Sequence, residues 1–190
     1  VLNYAAHLSH GRVPPGSLSH LWISDQPSPD RDLPAELAAA VLDDRLPAFF
    51  NSLPPGQAAY DRLKSSLKQH ERIRAKGGWP TVGPGPSLRL GDQSLRVPDL
   101  RRRLTLSGDL NASSPAAETV YDRPLEAAVM RFQYRHGLAT DGVVGKQTLA
   151  ALAVPVDARI RQLRLNMERW RWYPQGLGPK YLAVNIPDYT

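Results

Sequence analysis

The chain has 190 residues, is 42% hydrophobic and carries a formal charge of +6, which permits one or two small domains with real cores. It contains no cysteine, which excludes disulfides, thiolate nucleophiles and cysteine-based metal sites. No run of about eighteen apolar residues occurs, so no segment reads as membrane-spanning. The basic balance favours anionic partners in general without singling out nucleic acid.

In chain order, residues 1–10 read as a helix with Leu2, Ala5 and Leu8 on one side and Gly11 as its stop. VPPGS forces a turn, residues 18–23 are a short apolar stretch, and residues 25–32 form a polar loop. Pro34 opens a helix that runs to Leu42, and a second piece follows Pro47 and breaks at Pro54-Pro55-Gly56. Residues 57–76 make the longest predicted helix, with Tyr60, Leu63, Leu67 and Ile73 as its apolar stripe. The segment GGWPTVGPGPSLRLGD, residues 77–92, cannot continue a helix and is expected to be an extended linker holding the first domain boundary.

Residues 97–106 return to helical spacing through Val97, Leu100 and Leu104, and Gly108 stops them. A Ser/Ala/Pro-rich link over 109–119 leads to residues 120–152, the stretch around which the chain is organised. Asp122 is placed to cap a helix, Pro124 sits in its first turn, and Leu125, Val129 and Phe132 form its apolar face. Gly137 ends that helix with Leu138 folding back, Asp141-Gly142 makes a turn, and Gly145 opens a helix that buries Leu149 and Leu152. Beyond Pro155, Asp157 is predicted to cap a helix whose inner side carries Ile160, Leu163, Met167 and Trp170. Arg161 and Arg164 are spaced to meet Asp157 and Glu168. Pro174 ends this helix, and residues 181–186 (YLAVNI) give a strand signal.

The ordered set Ala128-Val129, Phe132-Gln133, Gly137-Leu138, Asp141-Gly142, Val144-Gly145, Thr148 and Leu152 resembles the small three-helix type of peptidoglycan-binding domain. Residues 159–174 (RIRQLRLNMERWRWYP) followed by 181–190 (YLAVNIPDYT) resemble the lead-in to the catalytic domain of the long L,D-transpeptidases of bacterial envelopes. Residues 3–12, 54–76 and 77–92 are similar to the helical scaffold region of those enzymes, in the same order. The resemblance implies a mainly α chain: a helical scaffold region, a three-helix peptidoglycan-binding domain, and a lone C-terminal strand from a truncated catalytic domain. The implied boundaries are 1–79 for the scaffold, 80–155 for the binding domain, 156–174 for a linking helix and 175–190 for the first strand of the catalytic domain.

L,D-transpeptidases attack the donor stem peptide with a cysteine thiolate, aided by a histidine base and backbone amides around the oxyanion. Without cysteine, this polypeptide cannot run that reaction. His7 and His10, three apart, lack a third ligand at metal-site spacing, and neither a metal nor a cofactor is expected. No G-x-S-x-G occurs, and Asp43-Asp44 point apart on a helix. Arg101-Arg102-Arg103, and Arg159, Arg161, Arg164, Arg169 and Arg171 with Trp170 and Trp172, offer charge and stacking surfaces, but no nucleic-acid motif accompanies them. They are read as holding domains together or facing anionic envelope polymers.

The implied function is that of a peptidoglycan-binding, non-catalytic N-terminal portion of an L,D-transpeptidase in the periplasm or cell envelope. Its expected partners are peptidoglycan and its own downstream catalytic domain, with no nucleic acid and no membrane span. The alternative is a docking module that positions the catalytic domain without binding saccharide. A shallow groove mixing apolar and hydrogen-bonding groups suits a saccharide–peptide polymer. It is expected beside Tyr134, Arg135, Asp141, Val143 and Val144, where the turn and the preceding helix end carry the motif's exposed side chains.

Overall fold

The computed structural model describes residues 1–14, 31–111 and 119–173. The strand expected at 181–186, the apolar stretch at 18–23 and most of the 109–119 link lie outside these residues. Among the described residues the chain is mainly helical. It forms α1 (Leu2–His10), α2 (Leu33–Leu42), α3 (Leu46–Ser52), α4 (Ala58–Ala75), α5 (Val97–Leu106), α6 (Arg123–Arg135), α7 (Lys146–Leu152) and α8 (Val156–Arg171).

Local chemistry sets the helix ends. Asp32 accepts the Ala35 amide at 3.0 Å and Asp122 the Leu125 amide at 3.0 Å, each satisfying a donor that the first turn leaves open. Three helices close with the same double backbone bond at a glycine. Gly78 N–H reaches the Ile73 carbonyl at 2.9 Å after α4, Asp109 the Leu104 carbonyl at 2.8 Å after α5, and Leu138 the Gln133 carbonyl at 3.0 Å after α6. Asp157, expected as a cap, lies inside the first turn of α8, where its charge still suits the helix dipole.

The chain divides into two compact units, Val1–Leu67 with Gln162–Thr190, and Lys68–Arg161. In the first, α1, α2 and α3 bury Ala5, Leu33, Ala40, Phe49 and Leu53 together. Arg31 fastens this corner, with its guanidinium on the Glu36 carboxylate at 3.1 Å and on the Ser52 carbonyl at 3.1 Å. Glu168 of α8 accepts the amides of Arg12 and Val13, the latter at 3.0 Å. Its other oxygen takes Arg171 at 2.7 Å, and Arg171 reaches the Tyr60 hydroxyl at 3.0 Å. Glu168 thus meets Arg171, and Asp157 lies 3.8 Å from Arg74. Trp172 is the buried tryptophan of this helix end, while Trp170 on the expected stripe is half-buried, because the helix stops at Arg171 and the chain turns Trp172 inward.

In the second unit α5, α6 and α7 surround a core that includes Val97, Leu100, Leu104, Leu125, Val129, Phe132 and Leu152. The segment at 77–92 is extended, as expected, but it is not a free linker. Val82 and Leu88 sit in that core, and Leu88 exchanges both backbone hydrogen bonds with Val144, at 3.3 and 2.9 Å. Glycine and proline forbid a helix here without forbidding burial, and each fully buried Val or Leu contributes about 1.5–3 kcal/mol. An antiparallel bridge of this kind supplies the backbone partners that burial requires.

Gly11, just past α1, has φ +88° and ψ 176°, a conformation closed to residues with a Cβ. A Cβ there would lie 2.6 Å from Glu168 Oε1 and 2.9 Å from Trp172 Nε1. Gly11→Ala is therefore expected to destabilise the first unit by about 1–3 kcal/mol, read as a lower urea midpoint. An unchanged midpoint would contradict the close approach of Glu168 to this turn.

Candidate functional site

The turn between α6 and α7 is built around one buried side chain. Gln133, 1% exposed, projects from the last turn of α6 into the loop that follows it. Its Oε1 accepts the Gly142 amide at 2.9 Å. Its Nε2 donates to Asp141 Oδ1 at 2.8 Å, to the Val143 carbonyl at 3.0 Å and to Thr148 Oγ1 at 3.1 Å. The carboxamide orientation is fixed by its partners, since one end faces a donor and the other faces acceptors.

Two further side chains complete the clamp. Tyr121, fully buried, donates its hydroxyl to the Gly142 carbonyl at 2.6 Å. Burial first, then the nearby Glu126 and Asp141 charges, push its phenol above the ordinary range, so it stays a donor. Asp141 Oδ1 also accepts the Val143 amide at 2.9 Å, closing a side-chain-to-backbone turn. The Val143 amide, then the Gln133 carboxamide, hold the Asp141 carboxyl below the usual carboxylate range. Gly142 adopts φ +69°, and a Cβ there would fall 2.9 Å from Glu126 Cγ and 3.4 Å from Met130 Cγ. The turn therefore lies flush against α6, and only glycine permits it.

The five residues expected at a groove are not placed alike. Tyr134 is 80% exposed on α6. Asp141 is exposed and Val143 half-buried. Arg135, with its side chain 44% exposed, forms a two-pronged ion pair with Asp109 at 2.7 and 2.6 Å. Val144 is 0% exposed and belongs to the core. Its expected place on a groove wall is corrected, because side chains alternate along the extended pair it makes with Leu88 and neighbouring Val143 takes the outward position.

Gln133 and Tyr121 carry no role that the sequence announces, and Arg101 and Arg103, expected to hold domains together or to face anionic polymers, are buried within the second unit. Both arginines are 1% exposed, so of the run 101–103 only Arg102 faces solvent. Arg101 pairs with Asp122 at 2.8 Å and donates to the Val120 carbonyl at 3.1 Å. Arg103 donates to the Leu152 carbonyl at 3.3 Å and places its guanidinium carbon 3.7 Å over the Trp79 ring. Burial, then the positive charge of Arg135, lowers Arg103 to about 10, which leaves it a cation at neutral pH. A run of arginines reads as surface charge in sequence, and nothing local announces a ring 24 positions upstream.

Residues 93–152 match the family model of the peptidoglycan binding domain. Residues 1–67 match the family model of the scaffold domain. It is also similar to the N-acetylmuramoyl-L-alanine amidase CwlM of Mycobacterium tuberculosis (strain ATCC 25618 / H37Rv), 39% identical over 80 residues, which cover 38% of this chain and 20% of that protein. The chain thus matches a fifth of the length of this curated relative. Among the described residues, no helix is long and apolar enough to cross a membrane.

Replacing Gln133 with Met keeps the volume and abandons the polar partners. Each abandoned group costs about 1–3 kcal/mol, so Gln133→Met is expected to lower the unfolding midpoint and speed amide exchange at Gly142. Unchanged exchange would show that the clamp does not hold the turn. Asp122 supplies a pH test: burial pushes its carboxyl up, but Arg101 and the Leu125 amide outweigh burial and hold it below the usual range. A carboxyl lowered in the folded state stabilises above the ordinary carboxylate range and loses that contribution as pH falls through its folded value. Asp122→Asn should thus be less stable than wild type at pH 7, and the deficit should shrink below about pH 4. A deficit independent of pH would contradict the ion pair's role.

Proposed function

We propose that residues 93–152 hold wall peptidoglycan on the surface around the Gln133-clamped turn. The observation that carries this reading is a coincidence in one segment. The family match covers the residues whose buried network fixes the turn, and the same segment leaves Tyr134 with its ring in solvent. Saccharide–peptide polymers present sugar faces, amides, hydroxyls and carboxylates. An exposed phenol ring covers a sugar face or peptide methyl groups, while Asp141 and the half-buried Val143 add a polar and an apolar edge. Arg135, held by Asp109 at the helix end, adds a positive edge.

The wider protein we propose is an L,D-transpeptidase, with this chain as its non-catalytic N-terminal portion working in the periplasm. Support comes from the order of the resembling segments, from the run Asn166-Met167-Glu168-Arg169-Trp170-Arg171-Trp172, and from the scaffold match over 1–67. In this arrangement 1–79 is the scaffold, 80–155 the binding domain, 156–174 a linking helix and 175–190 the first strand of the catalytic domain. The thiolate that chemistry needs is absent from this polypeptide. A second reading, a docking module for that catalytic domain, draws on the exposed Leu95 and Val120 of the same unit.

Retention on purified sacculi tests the first reading. The chain should co-sediment, and Tyr134→Ala should reduce retention about three- to tenfold. The ring is exposed, so the substitution leaves the fold intact. Equal retention of both proteins would remove Tyr134 from the site. Failure to bind sacculi, with measurable affinity for the separate catalytic domain, would favour the docking reading.

A further inference from the structure

We propose that Asp141-Gly142 is a latent site of backbone isomerisation, held closed by the Gln133 carboxamide and opened when the turn between α6 and α7 loosens. The pair is the one Asp-Gly sequence in the chain. Such a pair carries its own reaction, in which the glycine amide nitrogen attacks the aspartate side-chain carbon Cγ and closes a succinimide ring. The bond formed is N–Cγ, and the amide proton leaves with the carboxyl hydroxyl as one water. Water then opens the ring at either carbonyl, which restores aspartate or gives isoaspartate, whose main chain runs through Cγ. No oxidant or cofactor takes part. Glycine favours the attack because it places no side chain beside the nitrogen and leaves the backbone free to reach the required angle. The chemistry needs no ligand, so it is separate from wall binding.

The folded turn withholds what that reaction requires. The attacking nitrogen must lose its proton, yet Gly142 is buried and its amide donates that proton to Gln133 Oε1 at 2.9 Å. The carboxyl must be neutral and free to turn toward the amide. Asp141 Oδ1 instead accepts the Gln133 Nε2 group at 2.8 Å and the Val143 amide at 2.9 Å. The Val143 amide, then Gln133, favour the ionised form, so the reactive acid is scarce at neutral pH. Tyr121 fixes the far side of the pair by donating to the Gly142 carbonyl at 2.6 Å. One carboxamide therefore holds both reacting groups apart. Asp141 is exposed, so water reaches the ring once it forms. Isoaspartate adds one carbon to the main chain just before Gly142. That shifts Val143 and Val144 out of register with Leu88 and breaks the bridge at 3.3 and 2.9 Å. An isomerised turn therefore stays open.

The test ages the whole chain in warm neutral buffer and counts isoaspartate at position 141 by peptide mapping. Wild type should form it slowly. Gln133→Met should form it about tenfold faster or more, because losing these hydrogen bonds opens the turn more often. Tyr121→Phe keeps the ring and the Gln133 contacts and drops only the hydroxyl bond to Gly142, so its rate should fall between the two. Should Gln133→Met fail to fold, the comparison of Tyr121→Phe with wild type decides. In denaturing urea all three should converge on one fast rate, since the clamp is gone. Equal rates in wild type and the folded variants would overturn the proposal. So would a wild-type rate unchanged by urea, or isoaspartate that gathers at other aspartates and spares 141 in every sample. Retention on sacculi is not the readout, so each of these failures leaves wall binding standing.

Discussion

The carboxamide of Gln133 decides the form of the second unit. It is buried, and it meets a donor at one end and three acceptors at the other. A buried amide without partners costs several kcal/mol, so the turn must come to it. Asp141, Gly142, Val143 and Thr148 are therefore held against α6, and Tyr121 locks the same turn through the Gly142 carbonyl. Val144 follows directly and turns inward to pair with Leu88, which draws the proline-rich segment at 77–92 into the core. One polar side chain thereby links α6, α7 and an irregular strand.

Buried cations contribute a second layer of specificity. An Arg–carboxylate pair out of solvent gains little net stability, because desolvation offsets much of the attraction. Arg101 on Asp122 nevertheless joins α5 to the cap of α6 in one geometry, since breaking either side leaves a charge without its partner. Arg103 does the same for Trp79 and the end of α7, through its ring contact and the Leu152 carbonyl. The first unit uses a related device, where Glu168 gathers two backbone amides and Arg171 around the turn at Gly11.

Much of this was legible in the sequence, for stated reasons. Local signals act over three or four residues, so the Asp122 cap, the glycine stops and the apolar faces of α5 and α6 follow from spacing alone. The match of Phe132-Gln133 to a family pattern flagged the central residue without revealing its role, because its partners lie 8–15 positions downstream. Val144 shows the limit of treating a turn as exposed: a single backbone bridge reversed its side. Arg101 and Arg103 show another, since burial of a charge depends on partners that composition does not register. The same remoteness hid the contacts of Arg131 and Arg135 with Asp109, 22 and 26 positions away in the chain.

The functional account joins these pieces. A rigid turn and an exposed ring lie along one helix end, within a segment that matches the peptidoglycan-binding family. Rigidity matters because a shallow surface gains affinity only when its groups are already in place. Amide chemical-shift mapping of the labelled chain during titration with soluble muropeptide addresses this most directly. The account predicts shifts concentrated at residues 131–143, with residues 1–67 unmoved. Shifts confined to residues 1–67, or none at saturating muropeptide, would contradict it.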